Sequence, residues 1–474
     1  MVISVISSGA ENAANTVIVF IKNWNNPYRD YTYMLLTEYR LDLVTHALRL
    51  VLPLEHPADS TLRYFFQQER IGSNERALVA ETMFGVLRHL LFLEHACTLN
   101  NPAGESSAGA TPRRVVLAYW TKFSGYNLRE ITPLLKRDEA DWLKQVKGIN
   151  IAELSLAIQA ELPQWVIDHL RAGYAPNSKT VGDETISDEI ILELGRSMQQ
   201  PAALDIRVNT HLANRDEVLQ LMLDEGMHAQ ATPYSPIGIR LKDKPSLTRH
   251  PLFLSGKIEV QDEGSQLLGF LLAPKRNDMV VDFCAGSGGK TLMLGAMMNS
   301  QGRIYAWDTS EKRLANLKPR LKRSGLSNLH PQLIAHENDT KVKRLAGKID
   351  RVLIDSPCSG LGTLRRNPDI KFRQSPQSVI ELTYKQAAIL AAASKLLKVG
   401  GRLVYATCSF LPQENQAIVE TFLAQHPDFI LRPAGELLAQ QKIPLKAGDY
   451  LQLSPQMHNT DGFFAAVLER QKIM

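Results

Sequence analysis

The sequence predicts an α/β protein. An open, parallel, doubly wound sheet fills the C-terminal half, preceded by an all-helical domain and a small α+β module. Three observations predict this. From Val260 onward, short apolar strands alternate with amphipathic helical stretches. From Leu35 to about Ile151, apolar residues recur only at three- and four-residue spacing. Between these regions, residues 202–258 mix the two patterns. A chain of 474 residues has room for two to four domains.

Composition excludes several classes. With 44% hydrophobic and 22% charged residues, the chain is neither disordered throughout nor fibrous. Four cysteines (Cys97, Cys284, Cys358, Cys408) are too few for a disulfide scaffold. No apolar run reaches the ~18 residues of a membrane span, so no membrane association is expected. No Lys or Arg precedes Lys22, and the apolar stretch Val17–Ile21 is too short for a secretory signal. A cytoplasmic protein with reduced thiols is expected, with a monomer as the simplest state. Residues 1–33 are polar, Asn-rich and aperiodic, which predicts disorder or an over-extended start. Met34 opens the helical pattern.

Residues 34–150 form the predicted helical domain. Leu41, Val44, Leu48 and Val51 make one apolar face. Leu78, Ala80, Met83, Val86, Leu87 and Leu90 make another. Ser73 or Asn74 is expected to cap a helix starting near Glu75. The stretch from Asn100 to Pro112 reads as a flexible loop. Residues 151–200 read as a helical linker, with Ser187 capping a helix to Met198 and Pro201 ending the region. In the module 201–258, strands are expected at Ala203–Val208 and Ile237–Leu241. A helix at Asn214–Glu225 is stopped by Gly226. Residues 259–474 carry predicted strands at Val280–Phe283, Arg303–Trp307, Pro331–Ala335, Arg351–Ile354, Arg402–Ala406 and Gly462–Leu468. Helices are expected near 289–298, 310–324, 376–396 and 413–425.

The formal charge is +5. Seven Lys/Arg lie between Arg303 and Arg323, against Asp308 and Glu311. Arg365, Arg366, Lys371 and Arg373 form a second cluster. Such stripes suit a phosphate backbone. A solvated helix face is the commoner explanation of either cluster alone.

Val280-Val-Asp-Phe-Cys-Ala-Gly-Ser-Gly-Gly-Lys-Thr291 joins the first strand to a helix through a glycine-rich turn. Ligands bind outside the carboxyl ends of such strands. A phosphate-binding P-loop would need Gly where Cys284 stands, and a dinucleotide fingerprint would need Gly where Thr291 stands. Neither fits. Acids follow the next three strands: Asp308, Asp339 and Asp355. An acid after the second strand suits a ribose diol. The ladder therefore points to an adenosine ligand without a polyphosphate, such as S-adenosylmethionine. Each Asp could instead be a helix cap. Three at successive strand ends favour the ligand.

Asp355-Ser-Pro-Cys358 follows the fourth strand and Tyr405-Ala-Thr-Cys408 ends the fifth. In a 3-2-1-4-5 sheet these strands are neighbours ~4.8 Å apart, so both thiols face one pocket. Carbon 5 of a pyrimidine is too poor a nucleophile for a methylsulfonium. A thiolate adding at carbon 6 makes the ring an enamine and activates carbon 5. A carboxyl able to share a proton suits the N3 side of the ring, and a second Cys suits release. Lys290 and nearby arginines would favour a thiolate.

These residues resemble the Sun/Fmu family of RNA (cytosine-5) methyltransferases, of the RsmB type, over residues 34–474. The specific stretches are Val260-Gln-Asp-Glu-Gly-Ser265, Cys284–Thr291, Asp355–Arg366 with Asn367-Pro-Asp-Ile370, and Thr407-Cys-Ser409 with Pro412, Glu414 and Asn415. The resemblance implies a class I methyltransferase, Rossmann-like fold with S-adenosylmethionine as donor. It implies Cys408 as nucleophile and Cys358 as the cysteine that assists release. Asp355 and Lys290 would complete the catalytic set. Cys284, Ala285, Gly286, Ser287, Gly288, Gly289, Lys290, Asp308, Asp339 and Asp355 correspond to donor-binding positions. No metal is implied. Asn74–Arg88 is similar to the NusB-like RNA-binding domain, and 201–258 to a small RNA-recognition module. Ribosomal RNA, most of all 16S, is the first expected partner and transfer RNA the second. A weakly active RNA-binding or assembly factor is the alternative from another class. The family loop usually reads Cys-Ala-Ala-Pro-Gly-Gly-Lys. Gly286 and Ser287 replace Ala and Pro here, so the turn loses a fixed φ and weaker donor binding is expected. Phe372, Trp165 and Tyr405 could stack on RNA, with core packing the stronger expectation.

Overall fold

The computed structural model describes residues 35–99, 110–137, 139–173 and 186–472. The expectations for residues 1–33 and for the loop from Asn100 to residue 109 fall outside them.

The N-terminal region is helical, as its spacing dictates. Its longer helices among the described residues are Glu38–Val51, Ala58–Gln68, Ser73–Arg88, Leu90–Thr98, Pro112–Lys122 and Glu139–Gly148. Leu41, Val44, Leu48 and Val51 are all buried, against Phe65, Met83, Phe92 and Trp120. Thr37 caps the first helix through its side chain, which accepts from the Arg40 N–H. The helix expected near Glu75 begins earlier. Gly72 takes the extended cap conformation, which puts Ser73 and Asn74 inside the first turn and leaves no side-chain cap. Glu75 turns instead to Arg40, at 3.0 Å.

The segment expected to be a linker is a packed layer. Val166, Ile167 and Leu170 of helix Gln164–Gly173, and Ile191 and Leu194 of helix Asp188–Met198, share a core with Leu361, Leu364, Val379 and Leu411. Ser187 caps the second helix by accepting from the Ile190 N–H.

The small module is a four-stranded antiparallel sheet, ordered β2-β3-β1-β4, of β1 (Leu204–Val208), β2 (Ala229–Ala231), β3 (Gly238–Leu241) and β4 (Ile258–Val260). Two of these strands were unforeseen. Because β4 pairs with β1, the sheet runs two residues past the expected boundary at 258.

The C-terminal sheet holds β5 (Met279–Asp282), β6 (Arg303–Asp308), β7 (Leu329–Leu333), β8 (Ile349–Asp355), β9 (Leu397–Thr407), β10 (Phe429–Arg432), β11 (Leu451–Leu453) and β12 (Phe463–Arg470). Its order is β10-β12-β9-β8-β5-β6-β7, with β11 beside β12. Strands β5 to β9 are parallel and realise the expected 3-2-1-4-5 order. Side chains alternate between two apolar layers. Val280, Ile304, Leu353 and Val404 face one core; Val281, Trp307, Val352 and Leu403 face the other. Helices cover both faces, as a parallel sheet requires. Strands β10 and β11, each antiparallel to β12, were not foreseen, and β7 starts two residues earlier than expected. The helix expected over 413–425 is split. A short turn, Pro412–Glu414, is followed by Asn415 at φ −112°, ψ −103°, and then by helix Gln416–Gln425.

The two basic clusters differ from a phosphate stripe. In helix Glu311–Ser324, Lys312, Arg313, Lys318 and Lys322 are exposed. Arg320 and Arg323 turn inward to the buried Glu259. In the second cluster, Arg365 and Lys371 are buried. Lys371 meets Glu161 at 3.3 Å and Arg366 meets Asp262 at 3.1 Å and Asp461 at 2.5 Å. These charges tie domains together, since acids distant in sequence neutralise them. Tyr405 is buried, and Phe372 and Trp165 pack against core clusters.

Candidate active site

The glycine turn leaves the carboxyl end of β5. Gly288 has φ +78°, and a Cβ there would lie 2.1 Å from Leu317, so no side chain fits. Gly286, at φ +56°, has open space where a Cβ would point. The turn is thus tight against the helix behind it and open in front. Asp308, at the end of β6, fixes it: one carboxylate oxygen accepts from the Gly286 N–H at 2.9 Å and the other from the Ser310 N–H at 2.7 Å. The Ala285 N–H donates to the Trp307 carbonyl at 2.8 Å, and Arg320 donates to the Ser287 carbonyl at 2.7 Å. Gly289 opens helix Gly289–Met297, which carries Lys290. Cys284 lies in this turn, where burial pushes its thiol well above the ordinary range.

Asp339 follows β7, and its carboxylate holds its own loop. It accepts from the N–H groups of Ala335 and Lys341, both at 2.8 Å. This is the capping role that competes with a ligand role, and these backbone bonds hold its carboxyl below the usual range.

Two thiols meet beyond β8 and β9. The strands are in parallel register with Asp355 opposite Ala406, so Cys358 and Cys408 leave the same edge. Their sulfurs are 3.3 Å apart. The hydrogen bond with Cys408, together with burial, raises the Cys358 thiol well above its ordinary value. Cys358 therefore keeps its proton. Lys290 reaches from the donor-side helix to Asp355, with Nζ 2.6 Å from Oδ2. Burial works against the ammonium, but the Asp355 carboxylate outweighs it, and the Cys408 sulfur adds to that pull. The Lys290 pKa ends above the ordinary lysine value.

Two further residues shape the site. Glu414 was noted in the sequence only as part of a resemblance. It is fully buried and bridges both cysteine loops. Its carboxylate accepts from the Ser359 N–H at 2.7 Å, from the Ser359 and Ser409 hydroxyls at 2.5 Å each, and from Gln386 at 3.0 Å. Ser359 follows Cys358 and Ser409 follows Cys408, so one side chain sets the separation of the sulfurs. Asp282, at the end of β5, accepts from the Thr291 hydroxyl at 2.6 Å. Its other oxygen is buried without a partner, and burial pushes its carboxyl up to about 7. Its place two residues before Cys284 in the glycine-turn stretch was the available signal. Among the described residues there is no cluster of His, Cys, Asp and Glu fit for a metal, and no helix is long and apolar enough to cross a membrane.

A Rossmann-like parallel sheet with a glycine turn after its first strand, an acid after its second and paired thiols after its fourth and fifth defines a methyltransferase. Known proteins agree. Residues 269–469 match the family described as 16S rRNA methyltransferase RsmB/F, and residues 186–248 match its ferredoxin-like domain. A probable ribosomal RNA small subunit methyltransferase B from Synechocystis is 34% identical over 331 residues, 68% of this chain and 71% of that one. The ribosomal RNA small subunit methyltransferase B of Salmonella paratyphi C is 32% identical, over 85% of this chain and 92% of that one. A methyltransferase homologue from Pyrococcus horikoshii superposes with a TM-score of 0.56 at 25% identity, covering 68% of this chain and all of that one. The chain belongs to the RsmB/F family of 16S rRNA methyltransferases.

Proposed function

We propose that the protein methylates carbon 5 of a cytosine in 16S ribosomal RNA through a covalent Cys408 adduct, with S-adenosylmethionine as donor. The observation that carries this reading is the 3.3 Å contact between Cys358 and Cys408, beside the Lys290–Asp355 pair and across from the glycine turn.

The residues fit the donor. Open space in front of Gly286 admits a ligand, and Asp308, anchored on that turn, stands where a ribose diol is recognised. Cys284 to Lys290, with Asp308 and Asp355, would hold it; Asp339 would border it. The bound donor supplies an electrophilic methyl group.

The chain's own side chains prepare the cytosine. Cys408 forms a bond to carbon 6, and the ring's electrons move toward N3 and carbon 5. Asp355, paired with Lys290, shares a proton with the ring on its N3 side. Cys358 holds its proton and donates S–H to the Cys408 sulfur, which stabilises that sulfur as it attacks and again as it departs. With carbon 5 methylated, its proton passes to solvent, and the electron pair left behind restores the 5,6 double bond and expels Cys408 as a thiolate. The base must leave its stack to reach this edge, which is cheapest in a single-stranded loop. The N-terminal helical domain, in this reading, is a NusB-like RNA anchor.

The test is donor-dependent methyl transfer to RNA from cells lacking the gene, with position-resolved mapping of 5-methylcytosine. Cys408→Ala abolishes transfer. Transfer surviving in that variant overturns the nucleophile assignment.

A further inference from the structure

The two sulfurs of the site are close enough to react with each other. All four thiols of the chain are free, and two of them meet: Cys358 Sγ lies 3.3 Å from Cys408 Sγ. A disulfide needs about 2.05 Å, so an approach of roughly 1.3 Å separates the pair from a bond. The backbone favours that approach. Asp355 stands opposite Ala406 on adjacent parallel strands, and the cysteines follow that pair by three residues and by two. Glu414 ties the two loops through Ser359 and Ser409, and the Gly362 N–H donates to the Cys408 carbonyl at 2.9 Å. The entropy of bringing two thiols together is therefore already lost on folding.

The pair is also asymmetric in charge. Cys358 keeps its proton, because the hydrogen bond with Cys408 and burial both raise its thiol. Cys408 receives that S–H and lies in the field of the Lys290 ammonium, whose own pKa the Cys408 sulfur helps to raise. A cation and an S–H donor acting on one sulfur favour its thiolate, the form that peroxides oxidise. Both cysteines are half-buried rather than sealed, so a small oxidant reaches them. The other thiols are placed differently. Cys97 is buried, and burial pushes its pKa up to about 12. Burial raises Cys284 too, with the carboxylates of Asp282, Asp355 and Asp308 adding to it. A thiolate with a protonated thiol in contact is the arrangement of a redox-sensing pair.

We propose that Cys408 and Cys358 form an oxidation site, closing to a reversible intramolecular disulfide when the protein meets a hydroperoxide. The Cys408 thiolate attacks the terminal peroxide oxygen and the O–O bond breaks. The departing alkoxide, or hydroxide from hydrogen peroxide, takes a proton from solvent, and Cys408 is left as a sulfenic acid. The Cys358 sulfur then attacks the Cys408 sulfur. The S–O bond breaks, and the Cys358 proton leaves with the hydroxide as water. The two thiols have lost two electrons and the peroxide has gained them. A dithiol reopens the bond by exchange. Closure occupies the Cys408 sulfur, so methyl transfer stops while the disulfide stands. That effect rests on the nucleophile reading above; the disulfide itself rests on the geometry alone.

The test treats the reduced full-length protein with a small excess of hydrogen peroxide, alkylates it under denaturing conditions and reads peptide masses. The expected product joins the Cys358 and Cys408 peptides at about 2 Da below the sum of their thiol forms. Cys97 and Cys284 are recovered alkylated. Methyl transfer, assayed in parallel, falls in proportion to the cross-linked fraction and returns with dithiothreitol. In Cys358→Ala, treated without RNA, Cys408 stops at a sulfenic acid that dimedone captures, or oxidises further beyond rescue by dithiothreitol. Three results overturn the proposal: sulfinic acid at Cys408 of the wild type without a cross-link, oxidation of Cys97 or Cys284 with the pair intact, or both thiols recovered free at a peroxide dose that fully oxidises glutathione. A cross-linked protein that still transfers methyl groups overturns the nucleophile reading instead and leaves the disulfide standing.

Discussion

Glu414 offers the sharpest test of how the two sulfurs are held. Truncation in Glu414→Ala removes the acceptor of four hydrogen bonds. Two of the donors keep alternatives. Gln386 also donates to the Pro357 carbonyl at 3.0 Å, and the Ser359 hydroxyl lies 3.1 Å from that of Ser409. The Ser359 N–H and one hydroxyl proton are left without partners. Each buried orphan costs about 1–3 kcal/mol, so the loops lose roughly 2–6 kcal/mol of mutual restraint. A shift of about 1 Å in a reacting group can lower a rate about 100-fold. Glu414→Gln keeps an acceptor for the Ser359 N–H and turns its amide toward the hydroxyls, at a cost of about 1–2 kcal/mol. The assay is methyl transfer at saturating RNA and donor, with thermal unfolding as the check on folding. The expected kcat falls roughly 100-fold in the Ala variant, roughly tenfold in the Gln variant, with both KM values little changed. A folded Glu414→Ala protein with kcat within twofold of wild type refutes the clamp.

Other expectations follow from the same geometry. Cys358→Ala leaves Cys408 without its proton-donating neighbour, so a protein–RNA adduct accumulates under turnover on a denaturing gel; no adduct counts against the release role. Asp282 has its carboxyl raised to about 7 from an ordinary 3.8. Its stabilising contribution is complete below the unfolded value and is lost as pH rises through about 7. Asp282→Asn should therefore flatten the fall of Tm between pH 4 and pH 7, and an unchanged profile refutes the assignment. Lys371→Met strands Glu161 in the interior and should lower the denaturation free energy by about 3–5 kcal/mol. The Glu161→Leu/Lys371→Met pair should recover most of it in guanidinium titrations.

Much of the site was readable because it depends on local order. A strand followed by glycines, and thiols at two strand ends, become neighbours once the parallel order is known. The 3-2-1-4-5 order was enough to bring Cys358 beside Cys408. What escaped was pairing over long sequence distances. Lys371 and Arg366 looked like a surface stripe because Glu161, Asp262 and Asp461 are 95 or more residues away from their partners. Glu414 escaped for a similar reason: its meaning lies in Ser359, on another loop. The strands β2 and β4, of three residues each, are too short to show an alternating pattern.

The buried Lys371–Glu161 contact fixes more than stability. The stretch from Gly362 to Arg373 touches the Cys408 loop at one end and, through Lys371, the carbonyl of Arg88 and the carboxylate of Glu161 at the other. Anchor and reactive edge are therefore mounted on one stiff arm. In the function proposed above, a molecule so built would select its target by measuring, modifying the exposed cytosine that lies at the right span from the anchored helix.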